Sequence, residues 1–320
     1  MSERPPGPVA RLSDVSRDFL SLDDVSAEEL EHVLQLSAKV KASPGDYEGR
    51  LAGRSVALIF EKPSTRTRVS FEVAVSSLGG HPLALAGQDL QLGRGESLED
   101  TGRVLSRYVD CIVVRTFEQE RLEALSSSAT VPVVNALSDY EHPCQVLADL
   151  LTIREKKGDT RGLTLSYLGD GNNVVHSLLL GGTKAGMRVR VGTPPGYEPI
   201  PLVVHRAERI ARGTGGSVEV GNDSSRTVAG ADVLYTDVWA SMGQEEEHAE
   251  RVLVFSSYRI DRGAVEEAAD EVIVMHCLPA HRGEEITDEV IDGPRSVVWD
   301  QAENRLHTQK ALLLWLLGLE

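Results

Sequence analysis

The sequence predicts an α/β protein made of two doubly wound parallel-sheet domains. Helices should cover both faces of each sheet, and interdomain helices, including the C-terminal one, should join the domains. Three observations support this. Short, continuously apolar runs, of the kind a strand covered on both faces requires, alternate with helical patterns, first over residues 56–137 and again over 163–275. At 320 residues the chain is too long for one small core and suits two domains of ordinary size. The polar residues able to do chemistry gather just past the carboxyl ends of the expected strands, where such sheets bind ligands.

Taken in order, Ser26 with Glu29 three positions later is a capping box. The spacing of Leu30, Val33, Leu34 and Leu36 then predicts the first helix. Val56-Ala57-Leu58-Ile59-Phe60 is the first strand, and a helix through Phe71, Val75 and Leu78 follows. Strands at 83–86, 111–115 and 131–137 are separated by helical patterns near 97–108 and 118–126. A longer helix over 142–157 ends in Lys156-Lys157-Gly158, a basic last turn with a glycine stop. The domain boundary is expected along it, giving residues 1–150 and 151–303. The second alternation places strands at 163–168, 188–191, 218–220, 233–236 and 272–275. The last helix, beginning at Asn304 within the segment 304–320, is apolar on nearly every side beyond Ala311 and should pack back on the first domain. No repeat of solenoid length and no low-complexity linker is visible.

The segment Glu61-Lys62-Pro63-Ser64-Thr65-Arg66-Thr67-Arg68 turns the first strand into a helix. Proline suits the first turn of a helix, and serine can accept a bond from that turn. The remaining free N–H groups, two hydroxyls and an arginine then surround a positive helix end, as a phosphate needs. Arg66 and Arg68 sit two positions apart and point to nearly opposite sides. Arg66 is therefore assigned to the ligand and Arg68 to structure.

Gly169-Asp170-Gly171-Asn172-Asn173 resembles the start of a dinucleotide fingerprint, but position 174 is valine where the third glycine would stand. The same turn could present Asn173 to a ligand carboxylate. His142-Pro143-Cys144-Gln145 opens the long helix; with Arg115 and the Thr67 hydroxyl, His142 could polarise a carbonyl. Asp237 leaves a strand ahead of Trp239 and a turn through Ser241, Met242 and Gly243, well placed for a substrate ammonium. In His276-Cys277-Leu278-Pro279, neighbouring residues of an extended segment face opposite ways. His276 therefore cannot easily activate Cys277, and the thiol is expected to contact substrate. There is no Gly-x-Ser-x-Gly elbow, Walker loop or His-Glu-x-x-His.

The net charge of -16 argues against nucleic-acid or anionic-membrane partners, so arginines that bind an anion must be concentrated locally. Cys111, Cys144 and Cys277 include no Cys-x-x-Cys pair, so their spacing indicates neither a disulfide framework nor a zinc site, and a reducing cytoplasm fits. The polar, proline-rich first ten residues do not read as a secretory signal. The apolar run 311–317 is too short to span a bilayer.

Ser-Thr-Arg-Thr-Arg, His-Pro-Cys-Gln and His-Cys-Leu-Pro, in this order along nearly the whole chain, resemble the carbamoyltransferases. Within that group, Phe60-Glu61-Lys62-Pro63, Asp237 to Gly243 and His276 to Pro279 are similar to the branch acting on ornithine rather than aspartate. The resemblance implies a carbamoyl-phosphate domain, an ornithine domain and a homotrimer with sites at subunit boundaries. It implies Ser64, Thr65, Arg66 and Thr67 on the phosphate, and Arg115, His142 and Gln145 on the carbamoyl group. Gln91 would come from a neighbouring subunit. Asn173, Asp237, Ser241 and Met242 would take the ornithine backbone, while Cys277, Leu278 and Arg305 would line the reaction centre. The Leu278-Pro279 bond is expected to be cis, and neither a metal nor an organic cofactor is expected. A carbamoyltransferase for putrescine, a non-catalytic sensor and a nicotinamide-dependent dehydrogenase are the alternatives.

Overall fold

The computed structural model describes residues 17–87, 95–240 and 247–320. Its first sheet has four parallel strands, β1 (Ser55–Phe60), β2 (His81–Ala86), β3 (Cys111–Arg115) and β4 (Val133–Leu137), in the order β2-β1-β3-β4. The second has five, β5 (Thr164–Leu168), β6 (Arg188–Gly192), β7 (Ser217–Gly221), β8 (Val233–Thr236) and β9 (Ile273–His276), in the order β7-β6-β5-β8-β9. In each sheet the chain starts inside, winds outward, then returns to the other side of its first strand. The order therefore reverses between β1 and β3 and between β5 and β8. A crevice opens at such a reversal, at the carboxyl ends of the strands.

Helices α1 (Ala27–Ala42), α2 (Thr65–Ser77), α3 (Leu98–Leu105), α4 (Gln119–Ser128) and α5 (Pro143–Lys157) accompany the first sheet. The second is wound with α6 (Asn173–Lys184), α7 (Pro201–Thr214), α8 (Ser224–Val228), α9 (His248–Phe255), α10 (Arg262–Glu267) and α11 (Asp288–Ile291), and the last helix is α12 (Val298–Leu316). Both faces of the sheets are covered, because alternate residues of one strand enter different cores. Val56 and Leu58 of β1 join the large central cluster, whereas Ala57 and Ile59 pack with Leu122 and Leu125 of α4. In β8, Val233 and Tyr235 face the central cluster and Leu234 the opposite one. This two-sided burial explains why these strands read as continuous apolar runs.

The capping box at Ser26 and Glu29 forms as expected, with both side chains bonded across the first turn of α1. The last helix departs from expectation, starting at Val298 rather than Asn304. Its first two turns carry Asp300 and Glu303, which hid them from an apolar-periodicity reading, yet Val298, Gln301 and Asn304 are buried. The helix packs against α1, α2 and α5, so it does return to the first sheet's helices.

Glu141 joins the early chain to the second sheet's helices. Buried just before α5, its carboxylate accepts from the Ser21 hydroxyl, the Leu22 N–H (3.1 Å) and the Ser177 hydroxyl of α6 (3.2 Å). Burial, only partly offset by these donors, pushes the acid up to about 7. An unfolded glutamate titrates near 4.5, so between those values only the folded chain keeps this proton. The stability it contributes falls as pH rises through that window and is level above it. Relative to Glu141→Gln, wild-type stability from urea unfolding should therefore decline between about pH 4.5 and about pH 7 and be level above that. A constant difference would mean that Glu141 titrates as an ordinary carboxylate.

Candidate active site

The two crevices face each other across one cleft of about 1390 Å³. On the first-sheet side, β1 ends at Phe60 and the chain turns through Pro63 into α2. Ser64 caps that helix in an extended conformation and accepts from the Thr67 N–H at 3.3 Å. The corner is braced from below. Lys62, 5% exposed, pairs its ammonium with Asp139 after β4 and lies 4.4 Å above the Phe117 ring after β3. Three strand ends are thereby tied together beneath the open end of α2. Arg66 is exposed and lines the cleft. Arg68 lies outside it, in a surface pair with Glu72 at 2.9 Å.

Three guanidiniums converge here. Arg115 ends β3, and Arg305 reaches in from α12 to donate to Gln145 Oε1 (2.6 Å) and Thr67 Oγ1 (3.2 Å). Burial first, then the positive charges of Arg305 and Arg66, holds Arg115 down to about 10. His142 is pushed well below the ordinary imidazole range, by burial and then by Arg305, Arg115 and Arg66. A neutral imidazole that can donate a hydrogen bond results. Among the described residues, His142 Nδ1 and Arg305 Nε are buried without a hydrogen-bond partner, a costly state that an incoming oxygen ligand would relieve.

Behind this wall lies a buried carboxylate with no salt-bridge partner among the described residues. Asp149 Oδ1 accepts from Gln145 Nε2 and Gln301 Nε2, both at 2.8 Å, and Oδ2 accepts from the Tyr235 hydroxyl at 3.0 Å. With its amide nitrogen so held, Gln145 can only turn its oxygen toward Arg305. Gln145 itself lines a smaller adjoining cavity of about 350 Å³, not the main cleft.

The opposite wall belongs to the second sheet. Asp237 leaves β8 and accepts from Asn172 Nδ2 (2.8 Å) and from the Cys277 thiol (2.9 Å). Burial first, then the Asp237 charge, raises that thiol well above its ordinary value, so it stays protonated and donates. His276 commits both ring nitrogens to other partners. Its Nδ1 accepts from the Leu278 N–H at 2.8 Å and its Nε2 faces Glu285 at 3.0 Å, so there is no Cys-His pair. The Leu278-Pro279 bond is cis. Asn172 also caps α6 through its side-chain oxygen, and Asn173 donates to the Ser138 carbonyl at 2.6 Å, joining the β5 and β4 loops. Trp239 is core, stacked on Phe255.

The glycines after β5 serve packing. A Cβ on Gly171 would lie 2.4 Å from the backbone of Glu198 and Pro199, so this turn admits a neighbouring loop against it. Of the expected residues, Ser64, Thr65, Arg66, Thr67, Arg115, His142, Asn173, Asp237, Cys277, Leu278 and Arg305 line the one cleft. Gln91, Ser241 and Met242 lie outside the described residues. Sequence reading gave no role to Lys62, Asp149, Asn172 or Gln301. Their partners are distant in sequence, and no local pattern marks them.

The family model "Aspartate/ornithine carbamoyltransferase, carbamoyl-P binding domain" matches residues 17–155, and "Aspartate/ornithine carbamoyltransferase, Asp/Orn binding domain" matches 161–316. The chain is 60% identical over 305 residues to the ornithine carbamoyltransferase of Parafrankia sp. (strain EAN1pec), covering 94% of this chain and 96% of that protein. It is 54% identical over 309 residues to "Ornithine carbamoyltransferase, anabolic" of Pyrococcus furiosus, covering 96% and 98%. A solved structure of ornithine carbamoyltransferase from Pyrococcus furiosus matches with a TM-score of 0.92 at 54% identity, over 95% of this chain and 98% of that one. With both family models and these relatives matched along almost the whole length, the chain belongs to the aspartate/ornithine carbamoyltransferase family.

Proposed function

We propose that the chain transfers the carbamoyl group of carbamoyl phosphate to the δ-amine of L-ornithine, giving L-citrulline and phosphate. The observation that carries this reading is the pairing of two unlike walls in one cleft. A cationic helix end faces a carboxylate, and the carboxylate holds a protonated thiol. An anionic leaving group suits the first wall and an ammonium suits the second. The relative named "anabolic" supports the biosynthetic direction, in arginine formation. Residues 1–150 would form the carbamoyl-phosphate domain, with 304–320 packed on it, and 151–303 the ornithine domain. We place the protein in the cytoplasm as a homotrimer in which Gln91 enters a neighbouring site.

In this reading Ser64, Thr65, Arg66 and Thr67 hold the phosphate at the start of α2, where free N–H groups and the helix dipole favour an anion. Arg115, neutral His142 and the Thr67 hydroxyl donate to the carbamoyl oxygen as its carbon becomes tetrahedral. Arg305 sets Thr67, and Gln145 sets Arg305. Asp237 takes the α-ammonium of ornithine, with Asn173, Ser241 and Met242 on its carboxylate side and Cys277 and Leu278 against the reacting end. Only a neutral δ-amine can attack, and such amines titrate at about 10.4 in water, so the site must favour the deprotonated form. The amine nitrogen bonds to the carbonyl carbon, the bond from that carbon to the phosphate oxygen breaks, and the departing phosphate takes the amine proton. These residues act by position and charge, which can supply large accelerations without a covalent intermediate.

Citrulline formation by the purified protein, with ornithine and putrescine in competition, tests the reading directly. Ornithine should be strongly preferred, because putrescine offers Asp237 no α-ammonium; equal use of both would overturn it. Arg66→Ala should lower kcat/KM for carbamoyl phosphate roughly a hundredfold, about 3 kcal/mol, as charge-assisted phosphate contacts are lost. Its circular dichroism should stay unchanged, since Arg66 is exposed. Cys277→Ala should raise the KM for ornithine yet leave measurable turnover, whereas loss of all turnover would point to a covalent role for the thiol.

A further inference from the structure

At the rim of the second wall, two histidines and a glutamate from separate segments converge. His248 opens α9, while His281 and Glu284 belong to the turn that follows Pro279. His248 Nε2 lies 3.0 Å from Glu284 Oε2, and His281 Nδ1 lies 3.6 Å from the same oxygen. The three ligand-type atoms all fall within 4.8 Å of one another. A four-coordinate zinc ion with ligands at its usual lengths has edges of about 3.4 Å. Two edges are thus near the required size before any ion arrives.

We propose that His248, His281 and Glu284 form a binding site for a divalent transition metal of the zinc class, which would brace α9 against the 281–286 turn. Two imidazoles favour zinc, cobalt or nickel over magnesium or calcium, which seek oxygen ligands. Three protein ligands leave the fourth position to water. The three cysteines are too scattered for a thiolate zinc site, but this site needs no cysteine.

The ligands are held in place without the ion. The turn is closed by the Glu284 N–H donating to the His281 carbonyl and the Gly283 N–H donating to the Ile286 carbonyl, both at 2.9 Å. Gly283 takes φ +88, a conformation that glycine adopts without strain. The Arg259 Nε–H donates to the Glu284 carbonyl, and the His281 N–H to Glu285 Oε1, both at 2.6 Å. The nearest arginines in sequence are engaged elsewhere, Arg251 with Asp170 and Glu247, and Arg282 with Asp288 and Asp292. Glu284 therefore keeps its oxygen for the imidazoles. With side chains 42%, 43% and 28% exposed for His248, His281 and Glu284, an ion can enter from solvent. The two joined segments also frame the cleft, since α9 carries the Arg251 that holds the Trp239 carbonyl and the turn follows directly on Cys277 to Pro279.

Cobalt(II) titration of the full chain, followed by absorbance, tests the proposal, with zinc-dependent thermal shift as a second readout. Wild type should show a site lacking the near-ultraviolet thiolate-to-cobalt band, and zinc should raise its Tm. His248→Ala, His281→Ala and Glu284→Gln should each weaken cobalt binding roughly tenfold or more, since loss of even an outer-shell partner of a metal site costs that much. The same substitutions should remove the zinc shift. Unchanged affinity and shift in all three variants would overturn the proposal and leave the cluster as a hydrogen-bonded surface group. So would cobalt binding seen only with the thiolate band, which would direct the metal to Asp237, His276 and Cys277 instead.

Discussion

The arrangement depends on one buried carboxylate. Among the described residues Asp149 has no salt-bridge partner, and it is kept in the core by three donors, one from its own helix, one from α12 and one from β8. Burial pushes it up to about 7 against those donors, so the chain bears a real cost for keeping an acid there. In return, the amide of Gln145 has a single orientation. Its oxygen fixes Arg305, and Arg305 in turn fixes the Thr67 hydroxyl. Gln301, held by the same carboxylate, uses its own oxygen to accept the His276 N–H at the end of β9. One group therefore sets both the depth of the cationic wall and the start of the segment carrying Cys277. A half-satisfied carboxylate at this point would be worse than an apolar group, so the three donors around Asp149 are informative.

The electrostatics of the cleft follow from concentration. A chain with a net charge of -16 gathers Arg66, Arg115 and Arg305 at the end of one helix, where burial first, and then their mutual repulsion, lowers Arg115. Burial, and then the same cations, keep His142 neutral, while burial and the negative charge of Asp237 keep Cys277 protonated. Each shift turns a residue into a hydrogen-bond donor rather than a base or nucleophile. The chemistry such a site supports is stabilisation of developing negative charge on oxygen, within walls that already hold the required geometry.

Economy of side chains marks the opposite wall. Asn172 caps α6 with its oxygen and donates to Asp237 with its nitrogen, so helix start and carboxylate are positioned together. Asn173, next to it, bonds to a loop of the first sheet. Arg251, buried beside Tyr197 and Phe255, joins Asp170 to the Trp239 carbonyl. The loops at the strand ends are thus pinned by side chains rather than by regular secondary structure, which suits a surface that must take a substrate.

By itself the sequence determined the element order, the two parallel sheets and the helix end after β1. Strands buried on both faces leave unbroken apolar runs, and capped helix starts leave Ser, Pro and Gly at fixed offsets, all local signals. It also pointed to much of the cleft lining, such as Arg66, Arg115 and Asp237, because strand ends in such sheets point to one edge, but it gave no role to Lys62 or Asn172 and expected in the cleft Gln145, which lines the adjoining cavity. It did not disclose the start of α12, where charged residues occupy the first turns of a buried helix. Nor did it disclose the partnership of Asp149 with Gln301 and Tyr235, the brace from Lys62 to Asp139, or the meeting of His248 with His281 and Glu284. Those depend on which segments lie side by side once the sheets have packed. Hydrogen bonds and ion pairs act over a few ångströms of space, whatever the distance along the chain, so only the tertiary structure could decide them.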